Sequence, residues 1–487
     1  MKLNFNTYKD KVHACWVGKN IGGTMGAPYE GKREVLDVKG FVTKKGEILP
    51  NDDLDLQLVW LHAMEYVGPY QLSAKQLGDC WLNFITPYWH EYGICKSNMK
   101  HGMQPPLAGD YHSSWRDSNG AWIRTEIWAT MAPGCPEVAA KYAIEDACVD
   151  HGAGEGTVAA AFVAAMQACA FVESDIFKCI SVALSKIPAT SRTGLTVQKV
   201  VECYKNGTTW LDCRNTVQQM NADIGNGWFE APSNIGYTVL GLLYGEGDFK
   251  KSMITAINCG DDTDCTAATL GATLGILYGS AGVPADWAEH IGDGIVTKCL
   301  AGGVLYEEPN SCKALTERVV KQAPVVLTAN RTGVELTDGP DEIPAEPFKV
   351  RKSMVLRRLE GLKPYQVDVD LGICKAHINW DRCPDIAPGE EIGVTVRFEN
   401  NVEDWTRHPY GNICYFYNLR WTLPEGFSVT GKQSIDITQK NAHTNGRCET
   451  HFVIRAGERV ESVNRLVLEF APDANPNATF VPLVLMG

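Results

Sequence analysis

Two short runs of carboxylates, each at the head of an apolar helix, constrain this chain more than any other feature. In PNDDLDLQLVWLHAME (Pro50–Glu65), Asp52, Asp53 and Asp55 precede apolar residues at Leu56, Val59, Trp60, Ala63, Met64 and Val67, the three-and-four spacing of one packed helical face. In NCGDDTDCTAATLGATLGILYG (Asn258–Gly279), Asp261, Asp262 and Asp264 stand at the head of a second such helix. One run alone reads as capping, because Asn51 is a favoured N-cap and first-turn acids complement the exposed N–H groups and the positive helix end. A second run shifts the odds toward metal ligation if the two helix starts meet, since so many like charges at one point repel without a cation.

Small residues repeat four apart in the second helix, at Ala267, Gly271, Gly275 and Gly279, and again near the N-terminus at Gly18, Gly22 and Gly26. Such ridges cost helix propensity and are justified by close approach of another helix. Neither segment has the apolar length a bilayer requires, so packing inside a soluble protein is expected.

At 487 residues the chain is long for one domain and comfortable for two. Its 45 basic and 58 acidic residues give a net charge of −13, which advertises no surface for nucleic acid or an anionic membrane. The 17 cysteines are scattered, without a C-x-x-C pair and without a signal peptide before them. That pattern predicts reduced thiols in a cytoplasmic protein and argues against zinc-ribbon or iron–sulfur sites.

Residues 1–322 read as a large all-α domain, rich in segments such as GEGTVAAAFVAAMQACAFV. Residues 323–349 hold four prolines among small and polar residues and read as a linker. Residues 350–487 change period: YQVDVDLG, EIGVTVRFEN, ICYFYNLRWTL, SIDITQ, HFVIRAG, RLVLEFAP and TFVPLVLMG are short, β-branched and aromatic, with turn residues between them. They predict a small β-sandwich accessory domain, making a multi-domain α and β protein.

Hard divalent cations take oxygen ligands, and two helix starts bearing adjacent acids could supply them if the helices met. At this point the chain resembles the ADP-ribosylglycohydrolase family, in ordered blocks from about Val12 to Trp287. The Gly-rich opening helix is similar to GGTMGAPYE, ending at Glu30. The T-D-D-T motif resembles Asn51, Asp52, Asp53 and Leu54. An N-G-x-x-M-R block is similar to Asn119, Gly120 and Arg124 in SNGAWIR, and a His-Gly pair to His151 and Gly152. The G-G-D-T-D-T helix start resembles Gly260 to Cys265, followed by Ala267 to Gly275.

The resemblance implies an all-α fold with a cleft holding two divalent cations, Mg²⁺ first, with Mn²⁺ or Ca²⁺ as alternatives. Asp52, Asp53, Asp262 and Asp264 would ligate the metals, joined by Asn51 and Cys265 at positions where the family has Thr. Glu30 or Asp262 would handle the proton. Asn119, Trp122, Arg124, His151 and Gly152 would line the substrate site, joined by Asp55, an acid outside the family's motif. The family's Asp in G-D-x-x-G is Gly23 here, an amide oxygen at Asn51 can ligate a hard ion, and a thiol at Cys265 is a poor ligand for Mg²⁺. Two residue-level alternatives stay open: His151 as a capping or core histidine, and Trp122, with Tyr111, Trp115 and Trp128, as core aromatics.

The implied activity is metal-dependent hydrolysis of an N- or O-glycosidic bond at the anomeric carbon of a ribosyl unit. The partner would be an ADP-ribosylated substrate or a small-molecule glycoside, with no nucleic acid and no membrane; a homo-oligomer stays open. An alternative is a glycoside hydrolase acting on a furanoside without the ADP moiety. A third is a non-catalytic ligand-binding or structural relative, against which the retained acids argue.

Overall fold

The computed structural model describes residues 1–300, 307–348, 353–371, 374–400, 414–438, 447–473 and 477–487. The expected domain boundary at Lys349 and Val350, and the strand ends expected at Gly372, Ile413 and Gln439, lie outside them. Two compact units are present, one made of Met1–Glu91 and Ser114–Gly361, the other of Tyr92–Ser113 and Leu362–Gly487.

The first unit is helical. Its inner helices, Glu155–Ala170, Ala231–Tyr244 and Thr263–Tyr278, are buried on nearly every face, and their Ala, Gly and Thr content lets neighbours close in all round. The opening helix, Phe5–Gly26, lies antiparallel against Thr263–Tyr278, and the two small-residue ridges face each other. A Cβ at Gly18 would lie 2.2 Å from the Gly271 carbonyl oxygen, one at Gly22 2.2 Å from that of Ala267, and one at Gly26 2.3 Å from that of Thr263. The ridge therefore continues to the last turn of one helix and the first turn of the other. Thr263 Oγ1 closes it by donating to the Gly26 carbonyl at 2.8 Å.

Residues 323–329, which composition assigns to a linker, form the last turns of the helix Cys312–Ala329 despite Pro324 inside it. Ala323, Val326 and Leu327 are buried there, and that burial outweighs the hydrogen bond the proline gives up. Beyond it, β2 (Glu335–Thr337) pairs in parallel with β1 (Lys2–Asn4).

The second unit is a sandwich of two antiparallel sheets. One has the order β3 (Gln366–Asp370), β4 (Cys374–Trp380), β5 (Glu391–Asn400), β9 (Arg447–Arg455), β7 (Ser428–Gly431). The other runs β11 (Thr479–Met486), β10 (Val463–Pro472), β6 (Cys414–Thr422), β8 (Ser434–Thr438). Alternate residues turn inward, as with Leu466, Leu468 and Phe470 on β10 and Val394, Val396 and Phe398 on β5. The 92–113 segment contributes Met103, Leu107, Ala108 and Tyr111 to this same core. Removing residues 350–487 would strip those four side chains of their packing.

None of the cysteines whose side chains are described is in a disulfide. No helix among the described residues is long and apolar enough to cross a membrane.

Candidate metal centre

The helix packing sets the position of the acids. Because Gly26 ends its helix where Thr263 begins another, the following turn brings Glu30 beside Asp262 and Asp264. Two backbone bonds lock that turn: the Gly31 N–H donates to the Asp261 carbonyl at 2.9 Å, and the Asp261 N–H donates to the Lys32 carbonyl at 2.7 Å. Asp261 itself has φ +70, a left-handed conformation, and its carboxylate accepts the Phe229 N–H at 2.9 Å. It is a turn-forming residue whose carboxylate is occupied.

Asp262 is the N-cap of Thr263–Tyr278, yet its carboxylate makes no cap bond. Oδ2 accepts from Asn119 Nδ2 at 2.7 Å, and Asn119 Oδ1 accepts the Trp122 indole N–H at 2.9 Å. Trp122 is fully buried, so it fixes Asn119 rather than facing solvent. Asp262 Oδ1 and Asp264 Oδ1 are buried without a hydrogen-bond partner. Glu30, Asp262 and Asp264 place ligand oxygens within 4.8 Å of one another.

The other helix start meets this group through Asp53, since Asp53, Asp264 and Cys265 also place ligand atoms within 4.8 Å of one another. Asp264 thus belongs to both constellations. Asp53 is completely buried, and its Oδ2 lacks a hydrogen bond, although the buried Lys19 Nζ lies 3.9 Å away. Lys19 is nearer Glu126, at 3.1 Å. Glu126 is held in turn by Gln57 and Gln167 through their amide N–H groups, at 2.9 and 3.0 Å. Asp52 is partly exposed, 3.5 Å from Lys298 Nζ.

Two members of the first motif are engaged elsewhere. Asn51 Oδ1 caps the helix by accepting the Asp53 N–H at 2.8 Å, and its amide fills the space that a side chain at residue 23 would occupy: a Cβ at Gly23 would lie 2.1 Å from Asn51 Nδ2. Asp55 Oδ2 accepts the N–H groups of Lys298 and Cys299, at 2.6 and 2.8 Å, and so anchors the chain that carries Lys298.

Electrostatics follow from this crowding. Burial, then Asp264 and Glu30, hold the Asp262 carboxyl well above its ordinary range. Burial, then Asp52, raises Asp264. Burial raises Asp53 against the pull of Lys19. The Asp264 carboxylate, followed by burial and Asp52, pushes the exposed Glu30 up to about 7. Burial and the acids Asp262, Asp53 and Asp264 keep Cys265 a neutral thiol, which donates to Asp53 Oδ1 at 3.4 Å.

The donor set can be tested against the implied cations. Carboxylate oxygens that are buried, mutually repelling and short of hydrogen bonds fit hard divalent ions, which supply both charge and coordination. Cys265 shares a constellation with Asp53 and Asp264, and its thiol, which donates to Asp53 Oδ1, suits Mg²⁺ less well than the carboxylates do.

The remaining expected residues lie behind this centre. Arg124 is fully buried and grips Asp146 and Asp150 with distances of 2.8–3.0 Å, beneath the rings of Trp81 and Trp60. His151 is buried with Nε2 3.1 Å from Ser118 Oγ and Nδ1 2.9 Å from Asp150. Burial opposes its charged form, but the Asp150 carboxylate beside it raises its pKa. Gly152 follows with φ +49, ending that helix. Trp115 is partly buried and tilted against His90, with ring centroids 4.0 Å apart.

Sequence reasoning passed over Lys19, Glu126, Lys298 and Asn234, whose Oδ1 accepts the Asp262 N–H at 3.3 Å. A lysine inside the apolar VGKNIGG run was the available signal for the first; Lys298 carried none, because only the fold brings residue 298 to Asp52.

The ADP-ribosylglycohydrolase family model matches residues 4–320. The chain is 36% identical over 52 residues to ADP-ribosylarginine hydrolase Tri1 of Pseudomonas putida (strain GB-1), a match covering 11% of this chain and 14% of that protein. Among solved structures, one titled as an ADP-ribosylglycohydrolase-related protein complex aligns with TM-score 0.45 and 18% identity, over 66% of this chain and 99% of its own. A FixG-related protein from Vibrio parahaemolyticus aligns with TM-score 0.18 and 16% identity, over 24% of this chain and 97% of its own. The family match spans both acidic helix starts, the SNGAWIR block and the His-Gly pair, and with it the chain belongs to the ADP-ribosylglycohydrolase family.

Proposed function

We propose that this chain is a divalent-metal-dependent hydrolase that cleaves an N- or O-glycosidic bond at the anomeric carbon of a ribosyl unit. The observation that carries the reading is the set of buried carboxylate oxygens without hydrogen bonds, on Asp53, Asp262 and Asp264, converging from two helix starts. Asp52, Asp53, Asp262 and Asp264 would hold two cations, Mg²⁺ first. Bound there, the cations supply positive charge that polarises oxygen ligands and lowers the pKa of bound water.

This chain's own groups would do the rest. Glu30 is the exposed carboxylate of the cluster, so it can reach a substrate and take or give the proton of the attacking water or leaving group. Asp262 is the alternative for that step, but its Oδ2 is already held by Asn119. Asn119 and Trp122 act through Asp262, and Arg124 and His151 through the helix and loop they brace. Asp55 acts through the segment bearing Lys298.

ADP-ribosylated protein or peptide is the first substrate class, in keeping with the family and with the activity in the name of the Tri1 relative. A furanoside without the ADP moiety is the second, favoured by Gly23 and Asn51, which occupy one space between them where the family has an acid and a Thr. The test is a mass-spectrometric release assay with Mg²⁺, offering ADP-ribosylated peptides and a panel of ribosides and furanosides, with Asp262→Asn as the blank. Release of ADP-ribose supports the first class and release of a simple sugar alone the second. No release from any substrate by metal-loaded protein contradicts the hydrolase reading.

A further inference from the structure

The second unit carries a cluster of different chemical character. His112, near the end of the 92–113 segment, meets Cys383 and Asp385 from the connection between β4 and β5. One ligand-competent atom from each lies within 4.8 Å of the others.

The surroundings hold these three groups in place. The Asp385 N–H donates to the Cys383 carbonyl at 2.8 Å, a tight turn about Pro384 that keeps the two side chains together. Met486 pins that turn to β11: its N–H donates to the Pro384 carbonyl at 2.8 Å, and its carbonyl accepts the Ile386 N–H at 2.7 Å. Tyr111 donates its hydroxyl to Asp385 Oδ1 at 2.5 Å, leaving Oδ2 3.0 Å from His112 Nε2. His112 has φ +47, uncommon for a residue with a side chain, so the backbone is held in a conformation that it would not adopt unaided. Arg382 directs its guanidinium to the carbonyls of Cys383 and Asp385 and to Glu390 rather than to the Asp385 carboxylate.

We propose that His112, Cys383 and Asp385 bind a transition-metal dication of the zinc type. Imidazole nitrogen, thiolate sulfur and carboxylate oxygen form a borderline donor set that suits Zn²⁺ and its neighbours and disfavours Mg²⁺. Three protein ligands leave a fourth position for water. Tyr111 is the partner that orients the carboxylate, the usual support for a metal-bound side chain. Binding replaces the thiol proton by the metal and releases that proton to solvent. The bond ties the 92–113 segment to the sandwich, adding to the apolar contacts of Met103 and Leu107.

The test uses the full chain, stripped by chelator and titrated with Co²⁺, reading the near-ultraviolet charge-transfer absorption that a thiolate ligand gives to cobalt. The expected result is a band saturating at one Co²⁺ per chain and displaced by Zn²⁺. It should be absent in Cys383→Ser, at least tenfold weaker in cobalt affinity in His112→Ala, and undiminished in Asp264→Asn. A wild-type protein without the band, a band that survives in Cys383→Ser, or full affinity in His112→Ala overturns the site. The readout depends on sulfur ligation and not on turnover, so it stands or falls separately from the hydrolase reading.

Discussion

At the head of Asp52–Val67, Asn51 closes the cap on the Asp53 N–H, and Asp55 turns away to hold Lys298 and Cys299. At the head of Thr263–Tyr278 no side chain closes the cap, although Asp262 occupies the capping position with a residue type suited to it. Its carboxylate is drawn instead to Asn119, and Asp262 and Asp264 each keep a buried oxygen without a hydrogen bond, as Asp53 and Asp55 do at the first start. A forgone cap costs about 1 kcal/mol. Within the first start Asn51 and Asp55 therefore serve a structural end, whereas Asp52 and Asp53 are proposed to join Asp262 and Asp264 of the second start in holding metal.

The largest expected effect separates the two starts by activity. Asp264→Asn should lower kcat at least about a hundredfold on whichever substrate the release assay identifies, while Asp55→Asn should change it by less than about tenfold. Equal losses in steady-state assays would mean that Asp55 belongs to the reacting site as much as Asp264 does.

Next comes the packing that brings the starts together. Gly22→Ala places a methyl 2.2 Å from the Ala267 carbonyl oxygen, so the helices must part. The overpacking should cost a net of about 2 kcal/mol, read in a denaturant melt, after the gain in helix propensity. It should weaken metal binding as well, because the ridge sets where Asp262 and Asp264 sit.

The dependence on pH distinguishes the starts again. Burial pushes the Asp55 carboxyl up to about 7, so the folded state binds its proton more tightly than the unfolded state does. The sign follows: the folded protein loses stability as pH rises from the unfolded value near 4 toward 7, by about 1.4 kcal/mol per pH unit for one group. Urea melts of metal-free protein across that range should show the slope, and Asp55→Asn should lessen it with or without Mg²⁺. The share of the slope from Asp262 and Asp264, also raised by burial, should vanish when Mg²⁺ is added.

The smallest effect concerns the cap. Asn51→Ala should cost about 1 kcal/mol in melting free energy, with the metal-binding stoichiometry retained. A loss of one bound ion per chain would instead make the Asn51 amide a ligand.

Much of this architecture was legible in the sequence. The apolar spacing after Asp52 and Thr263, the four-residue ridges and the change of period beyond the prolines are local patterns, and each has its helix, contact or sheet. The ridges could even have been paired in advance, since Gly18 with Gly271 and Gly22 with Ala267 keep one antiparallel register. The division of labour among the acids was not legible. Whether an aspartate caps, ligates or holds a distant loop depends on what the fold brings to it, and Asn119, Lys19 and Lys298 reach the acids only through tertiary packing. Trp122 and Arg124 show the same limit, for a motif fixed their positions in the chain but only burial revealed that they face inward. The share of the 92–113 segment in the sandwich core was invisible for a like reason, since a helical period does not say which core an apolar face joins.

The most direct test of the central claim is equilibrium titration of Mn²⁺ into the metal-free chain by calorimetry, on a Cys383→Ser background to silence the sandwich cluster. Two ions per chain are expected, at most one after Asp264→Asn, and two again in Asp55→Asn. Two ions bound with unchanged affinity in Asp264→Asn would contradict that claim, because the acid shared by both constellations would then hold neither metal.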